Sequence, residues 1–271
     1  MLSSISNYGL LIALGILQAY ALASPWSGES NAWLQIIALA GFLFKQQTNK
    51  KPKQTFIQAW VFSTSWLIAS VWWLYISIHH FGGLPVVLTI VAILLLCGGL
   101  AIYYALTVQL YVKLKVPHAI YWNASLFASC WTLAEMARAE FFTGFPWGAI
   151  GYAHVDSVLV TFAPWVGVYG VGWVAAFIAA CIASSLSKDR KDKKIVKSTA
   201  YSLVTLLLLM VPWHVNKSSE EKNFSVSLLQ GNIPQDLKYT KLREQAVQWY
   251  VEKAVQAETD LVVMPETAIP Y

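Results

Sequence analysis

"PVVLTIVAILLLCGGLAIYYALTVQLY", residues 85–111, runs through the middle of the chain without a single charged side chain. A helix needs about 20 consecutive apolar residues to cross the hydrocarbon layer of a bilayer, and this stretch exceeds that length. Over the whole chain 57% of the residues are hydrophobic and 12% are charged, whereas about a quarter of the residues of a soluble protein are charged. The sequence therefore predicts an α-helical polytopic membrane domain.

Apolar runs of this kind recur on both sides of the central one. The second apolar run, 31–44, is short and could be re-entrant, tilted or paired with the first run as a hairpin. Seven spans are predicted in all, near residues 8–23, 31–44, 56–78, 85–111, 119–138, 159–186 and 196–213.

Basic residues follow every second span. The alternate loops, 24–30, 79–84 and 139–157, contain no Lys or Arg. By the positive-inside rule the N-terminus is then cytoplasmic, and the chain after residue 213 lies on the opposite side. This distribution accounts for the pI of about 9.0 without a nucleic-acid partner. The basic loop residues are Lys45, Lys50, Lys51, Lys53, Lys113, Lys115, Lys188, Arg190, Lys191, Lys193, Lys194 and Lys197.

The tail has a different pattern, and it divides the chain into a membrane domain, 1–213, a polar linker, 214–223, and a segment over 224–271. "FSVSLLQGNIP", residues 224–234, predicts a strand that ends in turn residues. A helix is predicted over 241–257 with Thr240 as its cap, followed by a strand over 261–264. The apolar face of the helix is Leu242, Ala246, Trp249, Tyr250 and Ala254.

A strand, helix and strand in this order normally join two parallel strands, whose carboxyl ends share one edge of the sheet. Gly231 and Asn232 end the first strand, and "MPE" places Glu266 just after the second. Catalytic groups collect at this edge in open α/β sheets, so Glu266 is the candidate site residue. The competing interpretation is that Glu266 is only a solvated turn residue.

"LLQGNIPQDLKY", residues 228–239, and "VVMPETAIP", residues 262–270, resemble the opening of the nitrilase-like domain of the apolipoprotein N-acyltransferase family. "FFTGFPWGAIGYAHVDS", residues 141–157, is similar to the loop that precedes the sixth span in that family. The resemblance covers the whole chain. It implies that residues 224–271 are the truncated start of an α/β nitrilase-like (αββα) domain in the periplasm, attached to a multi-pass protein of the bacterial inner membrane.

The resemblance also implies a reaction. In this family a cysteine thiolate takes an acyl chain from a phospholipid as a thioester, and passes it to the N-terminal amine of a diacylglyceryl apolipoprotein. A carboxylate acts as general base and a lysine stabilises the oxyanion, without metal or cofactor. By motif match Glu266 is the expected base, since a thiol needs a base within hydrogen-bond reach.

The family's lysine and cysteine are not matched in this chain, which is therefore expected to be an incomplete enzyme, inactive alone. Lys238 and Lys241 do not occupy the place of the family's lysine, and Tyr239 stands where the family pattern favours Trp. The three cysteines fall in predicted spans, where a thiol behaves as a small buried apolar group. They are Cys97, Cys130 and Cys181.

Other polar residues receive structural interpretations. Glu135 and Arg138, three residues apart, are predicted to form an ion pair at the outer end of the fifth span. His79 and His80 are adjacent, which is not the spacing of metal ligands. Two glycine groups are predicted to allow close helix contacts, and Trp72, Trp73 and Trp147 to anchor at the interface. The glycines are Gly144, Gly148, Gly151, Gly167, Gly170 and Gly172.

Three hypotheses remain open from the sequence. The chain is the N-terminal part of a lipoprotein N-acyltransferase, or a non-catalytic scaffold or lipid-binding remnant of such an enzyme, or part of another membrane-tethered nitrilase-type amidase. Seven spans are more than an amidase with a soluble substrate needs, which favours the first over the third.

Overall fold

The computed structural model describes residues 2–47, 51–186, 224–234, 237, 241–266 and 268–269. The chain divides into two compact units, Met1–Trp213 and His214–Tyr271, and each is treated by itself. The seventh predicted span, 196–213, and the linker, 214–223, lie outside the described residues.

Helices make up the described part of the first unit, and they correspond to the first six predicted spans. Between α5 and α6 the chain forms two short 3-10 helices, Ile150–His154 and Val158–Phe162, and a π-helix follows α3. The bounds are α1 Leu2–Leu22, α2 Ala32–Gln47, α3 Pro52–Ser70, the π-helix Ile76–Phe81, α4 Val86–Leu114, α5 Ile120–Glu140 and α6 Ala163–Ser185.

The predicted end of the third span is wrong. This span was expected to reach residue 78, but α3 ends at Ser70, whose hydroxyl donates to the carbonyl of Trp66 at 2.9 Å and so competes with the backbone at the helix end. The sixth span, predicted over 159–186, agrees with the apolar helical stretch Val158–Ser185, in which a 3-10 helix leads into α6 at Ala163, with Pro164 in the first turn. Proline fits there because an N–H is not needed in the first turn.

The six helices close into a ring. Going around it, α1 packs against α2, α2 against α6, α6 against α5, α5 against α4, α4 against α3, and α3 against α1. Aromatic rings fill the centre, where Phe42 stacks on Phe62 with centroids 4.4 Å apart and Tyr104 lies 4.8 Å from Trp131. Helices α1 and α2 thus pack against each other, as in the hairpin that was one alternative for the short second span.

The first unit has an apolar core that also contains polar side chains, and its outer surface carries many exposed apolar side chains. Gln18, Gln35 and Ser63 are fully buried, whereas Val87 and Leu95 of α4 are each 71% exposed. Among the described residues, Val86–Leu114 and Val158–Ser185 are long and apolar enough to cross a membrane, and Tyr8–Leu22 is apolar but shorter. These features agree with a membrane domain, while the number and direction of the crossings stay predictions.

The elements of the second unit follow the predicted order. They are β1 Val226–Leu228, α7 Arg243–Gln256 and β2 Leu261–Val263. The strands are parallel, with Val226 opposite Leu261 and Leu228 opposite Val263. Ala246 and Tyr250 are the buried residues of α7, on the face predicted from the sequence. Thr240, the predicted cap, lies outside the described residues.

Candidate functional site

The carboxyl edge of the β1–β2 pair is the first candidate site. Beyond the strands, the N–H of Leu229 still donates to the carbonyl of Val263 at 2.9 Å, so the chains leave the sheet side by side. The N–H of Gly231 then donates to the Tyr250 hydroxyl of α7 at 3.1 Å. A Cβ at Gly231 would lie 2.9 Å from that hydroxyl, which explains why the close approach uses glycine.

Glu266 lies at this edge, as predicted. It is exposed and sits in a turn in which the N–H of Ala268 donates to the carbonyl of Pro265 at 3.1 Å. Leu228 pairs with Val263, and Gly231 and Glu266 each follow their paired residue by three positions. The turn of β1 and the carboxylate after β2 are therefore equivalent positions on neighbouring parallel strands.

A second carboxylate, Asp260, lies at the opposite edge of the pair and has a structural partner. It accepts from the backbone N–H of Ser225 at 2.8 Å and from the Ser225 hydroxyl at 2.9 Å. These hydrogen bonds hold the pKa of Asp260 below its usual value. Asp260 therefore joins the starts of the two strands, and among the described residues Glu266 is the carboxylate just beyond the carboxyl end of β2.

One of the two lysines considered from the sequence lies within the described residues. Lys241 is exposed and precedes α7, while Lys238 and Tyr239 lie outside the described residues. The three cysteines, Cys97, Cys130 and Cys181, are buried in α4, α5 and α6, as predicted. A thiol buried in a helix bundle lacks the partial exposure that reactive cysteines have.

A buried polar cluster in the first unit is the second candidate site. Glu135 and Arg138 of α5, predicted to form an ion pair at the interface, are fully buried, and their opposite charges attract each other. Their hydrogen bonds go to the following loop and to α4: Glu135 Oε1 accepts from the N–H of Ile150 at 2.9 Å, and Arg138 Nε donates to the Tyr104 hydroxyl at 3.0 Å. Arg138 Nη1 donates to the carbonyls of Phe145, at 2.7 Å, and Trp147.

The prediction of close helix contacts is correct for Gly151 and Gly144. A Cβ at Gly151 would lie 2.1 Å from the carbonyl oxygen of Val168, so glycine there allows a close contact with α6. A Cβ at Gly144 would lie 2.0 Å from the carbonyl oxygen of Ala139 in α5. Gly144 and Gly148 also have φ of +78° and +82°, so both serve the loop backbone.

Among the second group of glycines, Gly172 would bring a Cβ within 3.3 Å of the Gly151 N–H and 3.5 Å of Glu135, consistent with close packing. Gly167 has φ of +63° at a kink in α6. The kink, and not a helix contact, accounts for that position.

His154 forms a buried contact that the sequence did not indicate. Its Nε2 lies 3.0 Å from Oε1 of Gln35 in α2, and its Nδ1 lies 3.2 Å from the Ser157 hydroxyl. Burial lowers the pKa of His154 to about 4. The imidazole is therefore neutral at physiological pH, and it ties the loop before α6 to α2.

His79 and His80 lie in the π-helix, where His79 Nδ1 is 2.7 Å from the carbonyl oxygen of Leu84. Within the described ranges no three His, Cys, Asp or Glu side chains are grouped so that they could hold a metal ion.

Comparison with known proteins gives consistent matches. A family model described as the apolipoprotein N-acyltransferase N-terminal domain matches residues 14–181. Apolipoprotein N-acyltransferase of Verminephrobacter eiseniae is 38% identical over 282 residues, covering 96% of this chain and 51% of that protein. The Haemophilus influenzae protein of the same name is 33% identical over 274 residues, covering 97% of this chain and 50% of that protein.

A third relative, Apolipoprotein N-acyltransferase of Ralstonia nicotianae, is 32% identical over 267 residues, covering 96% of this chain and 49% of that protein. The chain thus spans about half the length of the curated relatives that it matches.

Proposed function

The chain belongs to the apolipoprotein N-acyltransferase family, and from that premise we propose that it takes part in the N-acylation of bacterial lipoproteins. The acyl donor is a phospholipid, and the acceptor is the N-terminal amine of a diacylglyceryl cysteine. The names of the relatives favour this activity over an amidase of the same fold family.

The reaction has two steps that share one nucleophile. A thiolate attacks the phospholipid ester and releases a lysophospholipid, leaving the acyl group as a thioester. The acceptor amine then attacks the thioester, the amide forms, and the thiol is regenerated. Covalent catalysis of this kind divides one difficult transfer into two easier ones.

Glu266 is the general base in this proposal. It removes the thiol proton in the first step and takes a proton from the attacking amine in the second. The observation that carries the proposal is the position of Glu266, three residues beyond the carboxyl end of β2 in a pair of parallel strands. The thiol and the lysine that stabilises the oxyanion belong to the part of the family's sequence that this chain does not match.

Residues 1–213 act as the membrane domain in this proposal, and residues 224–271 as the first strand, helix and strand of the nitrilase-like domain. The linker, 214–223, joins them. The predicted orientation places the second unit in the periplasm, where lipoproteins and the outer leaflet of the inner membrane are both accessible. The exposed apolar face of α4 supports contact with lipid.

Glu266→Gln tests the proposal, in an enzyme that carries this chain together with the family's thiol and lysine. The substitution keeps the shape of the side chain and removes the basic oxygen. We expect formation of the acyl-thioester to fall by about 10²–10⁴-fold, the usual contribution of a positioned acid or base. The measurement is the amount of thioester formed from phospholipid, with thermal stability recorded in parallel.

Glu258→Gln is the matched control, because Glu258 is also an exposed carboxylate of the second unit but precedes β2. Exposed substitutions generally change stability by less than about 0.5 kcal/mol. Normal acylation in the Glu266 variant would support the interpretation of Glu266 as a turn residue and would refute its role as the general base.

A further inference from the structure

The loop between α5 and the first 3-10 helix, residues 141–149, is here called the aromatic loop. Phe142 is 93% exposed and Phe141 61% exposed, while Phe145 and Trp147 pack edge to face with ring centroids 4.9 Å apart. Phe141, Phe142 and Trp147 are therefore exposed, whereas Phe145 is half-buried against the cluster that contains Ile93 and Cys97, and the backbone of the loop sets the placement of all four.

Arg138 holds that backbone from inside the ring of helices. Its Nη1 donates to the carbonyls of Phe145 and Trp147, and its Nε donates to the Tyr104 hydroxyl of α4 at 3.0 Å. The N–H of Phe145 also donates to the backbone carbonyl of Arg138 at 2.8 Å. One guanidinium thus connects α5, α4 and two positions of the aromatic loop, a task for which its planar fork of donors is suited.

Glu135 fixes the far end of the loop. Its Oε1 accepts from the N–H of Ile150 at 2.9 Å, immediately after the aromatic loop. Glu135 and Arg138 are both completely buried. Burying two charges costs several kcal/mol each and is tolerated only where partners or neighbouring charge compensate. Here the loop and Tyr104 supply partners to Oε1 of Glu135 and to Nε and Nη1 of Arg138.

The conformation that these two residues hold is strained. Phe142 and Thr143 have φ of +54° and +71°, and Gly144 has φ of +78°. A non-glycine residue in this region costs of order 1–3 kcal/mol and persists only where the surroundings impose it. An aromatic loop released from Arg138 should therefore relax into other conformations.

The held loop forms one wall of a groove of about 560 Å³, and the other wall is the outer face of α4. The groove is lined by apolar residues that include Leu95, Leu96 and Phe142, and it is continuous with the exposed apolar face of α4. Because α4 is long and apolar enough to cross a membrane, the medium beside the groove is hydrocarbon. Its natural occupant is a single long acyl chain.

The geometry points to Arg138 and Glu135 as positioning residues, which hold the aromatic loop in place so that an acyl chain of a phospholipid binds between the loop and α4. This inference rests on the proposed acyl transfer for its ligand class. Neither residue touches the chain, and both act through the backbone of the loop.

Loop order is measured first, on the full chain in lipid nanodiscs of phosphatidylethanolamine. A spin label is attached at Phe142→Cys, which suits labelling because that side chain is 93% exposed and the three native cysteines are buried. We expect an immobilised spectrum with native Glu135 and Arg138, and a mobile one in the double variant Glu135→Gln/Arg138→Gln. The double variant removes both charges together, so no unpaired charge remains buried.

Arg138→Lys is the second variant, and it keeps the charge next to Glu135 but loses the forked donors. We expect label mobility between those of the native and double-variant chains. Glu140→Gln removes an exposed carboxylate at the end of the same helix and should leave the spectrum unchanged. If the double variant does not fold, the lysine variant decides. A label as immobile in the lysine variant as in the native chain would overturn the positioning role.

Chain binding is measured separately with a phosphatidylethanolamine whose acyl chain carries a diazirine, followed by mass spectrometry of the cross-linked peptides. We expect several-fold more cross-linking at Tyr103 and Phe145, which line the groove, than at the lipid-exposed Val87 of the same helix α4. The excess should disappear in the lysine variant. Equal cross-linking at all three positions in the native chain would refute binding of the acyl chain in the groove.

Neither measurement requires catalysis. Loss of thioester formation in the Glu266 variant would leave loop order and cross-linking unchanged, and a failure of the groove would leave the test of Glu266 intact. The two proposals are therefore distinguishable.

Discussion

At the scale of single residues, buried polar side chains of the first unit connect segments that are distant in the sequence. Glu135 and Arg138 were expected to pair with each other because they are three residues apart on α5. Each bonds to a different position of the loop that follows. His154 likewise reaches Gln35, 119 positions earlier in the chain. Such contacts fix non-helical segments onto the helices.

His154 should make the stability of the chain depend on pH. Its pKa is lowered from 6.5 to about 4, so between these values the unfolded state binds a proton that the folded state does not. The free energy of unfolding should therefore fall as the pH falls from about 6.5 to about 4, by up to ~1.4 kcal/mol per pH unit. The melting temperature of the purified chain in detergent, measured from pH 7 to pH 4.5, reports this slope.

His154→Gln should be less stable at pH 7, because it loses buried contacts, but should show a smaller decrease on acidification. His80→Gln, at an exposed histidine, is the control and should keep the native slope. Identical slopes in the His154 variant and the native chain would show that another group is responsible.

At the scale of elements, one glycine allows the close contact between α1 and α3. A Cβ at Gly15 would lie 2.2 Å from the Ser65 hydroxyl and 2.5 Å from the carbonyl oxygen of Phe62, both on α3. A Cβ at Gly9, on the same helix, would meet nothing within 4 Å. Small residues allow close helix contacts in membrane proteins, where van der Waals packing drives association.

Gly15→Ala should push α1 away from α3 and lower the free energy of unfolding by about 1–3 kcal/mol, the usual cost of overpacking. Gly9→Ala should be neutral or stabilising by up to about 1 kcal/mol, because alanine is the better helix former. Unfolding in a series of denaturing detergent mixtures measures both. A loss of stability at Gly9 equal to that at Gly15 would contradict the α1–α3 contact.

At the scale of the whole molecule, the first unit buries its few polar side chains within an apolar core and turns apolar side chains outward. This arrangement is expected where the surrounding medium is hydrocarbon, because an unsatisfied polar group facing lipid costs several kcal/mol. The basic and non-basic loops alternate along the same helices, and this alternation predicts the orientation.

Reporter fusions test that orientation. Fusions after residues 50, 115 and 192 should be cytoplasmic, because the basic loops are retained on that side. Fusions after residues 82, 150 and 222 should be extracytoplasmic. A cytoplasmic signal at residue 222 would contradict the placement of the second unit and, with it, the access of Glu266 to periplasmic substrates.

Local pattern was enough to predict most elements. The uncharged run at 85–111 appears as α4, the helix predicted over 241–257 appears as α7 over Arg243–Gln256, and the strand at 261–264 appears as β2. The position of Glu266 at the sheet edge also followed from the strand, helix and strand order. These features depend on residues close in sequence, and hydrophobic periodicity records which face of each element is buried.

Contacts between distant segments came only from the tertiary structure. The circular order of the six helices, the bond between His154 and Gln35, and the two loop carbonyls held by Arg138 could not be read from periodicity. A buried polar side chain in an apolar helix is more stable with a hydrogen-bond partner, but the sequence around it does not identify that partner. The partner is selected by which helices pack together and by how the left-handed residues Phe142 and Thr143 turn the loop back over α5, because only that packing brings the donors and acceptors within hydrogen-bond distance.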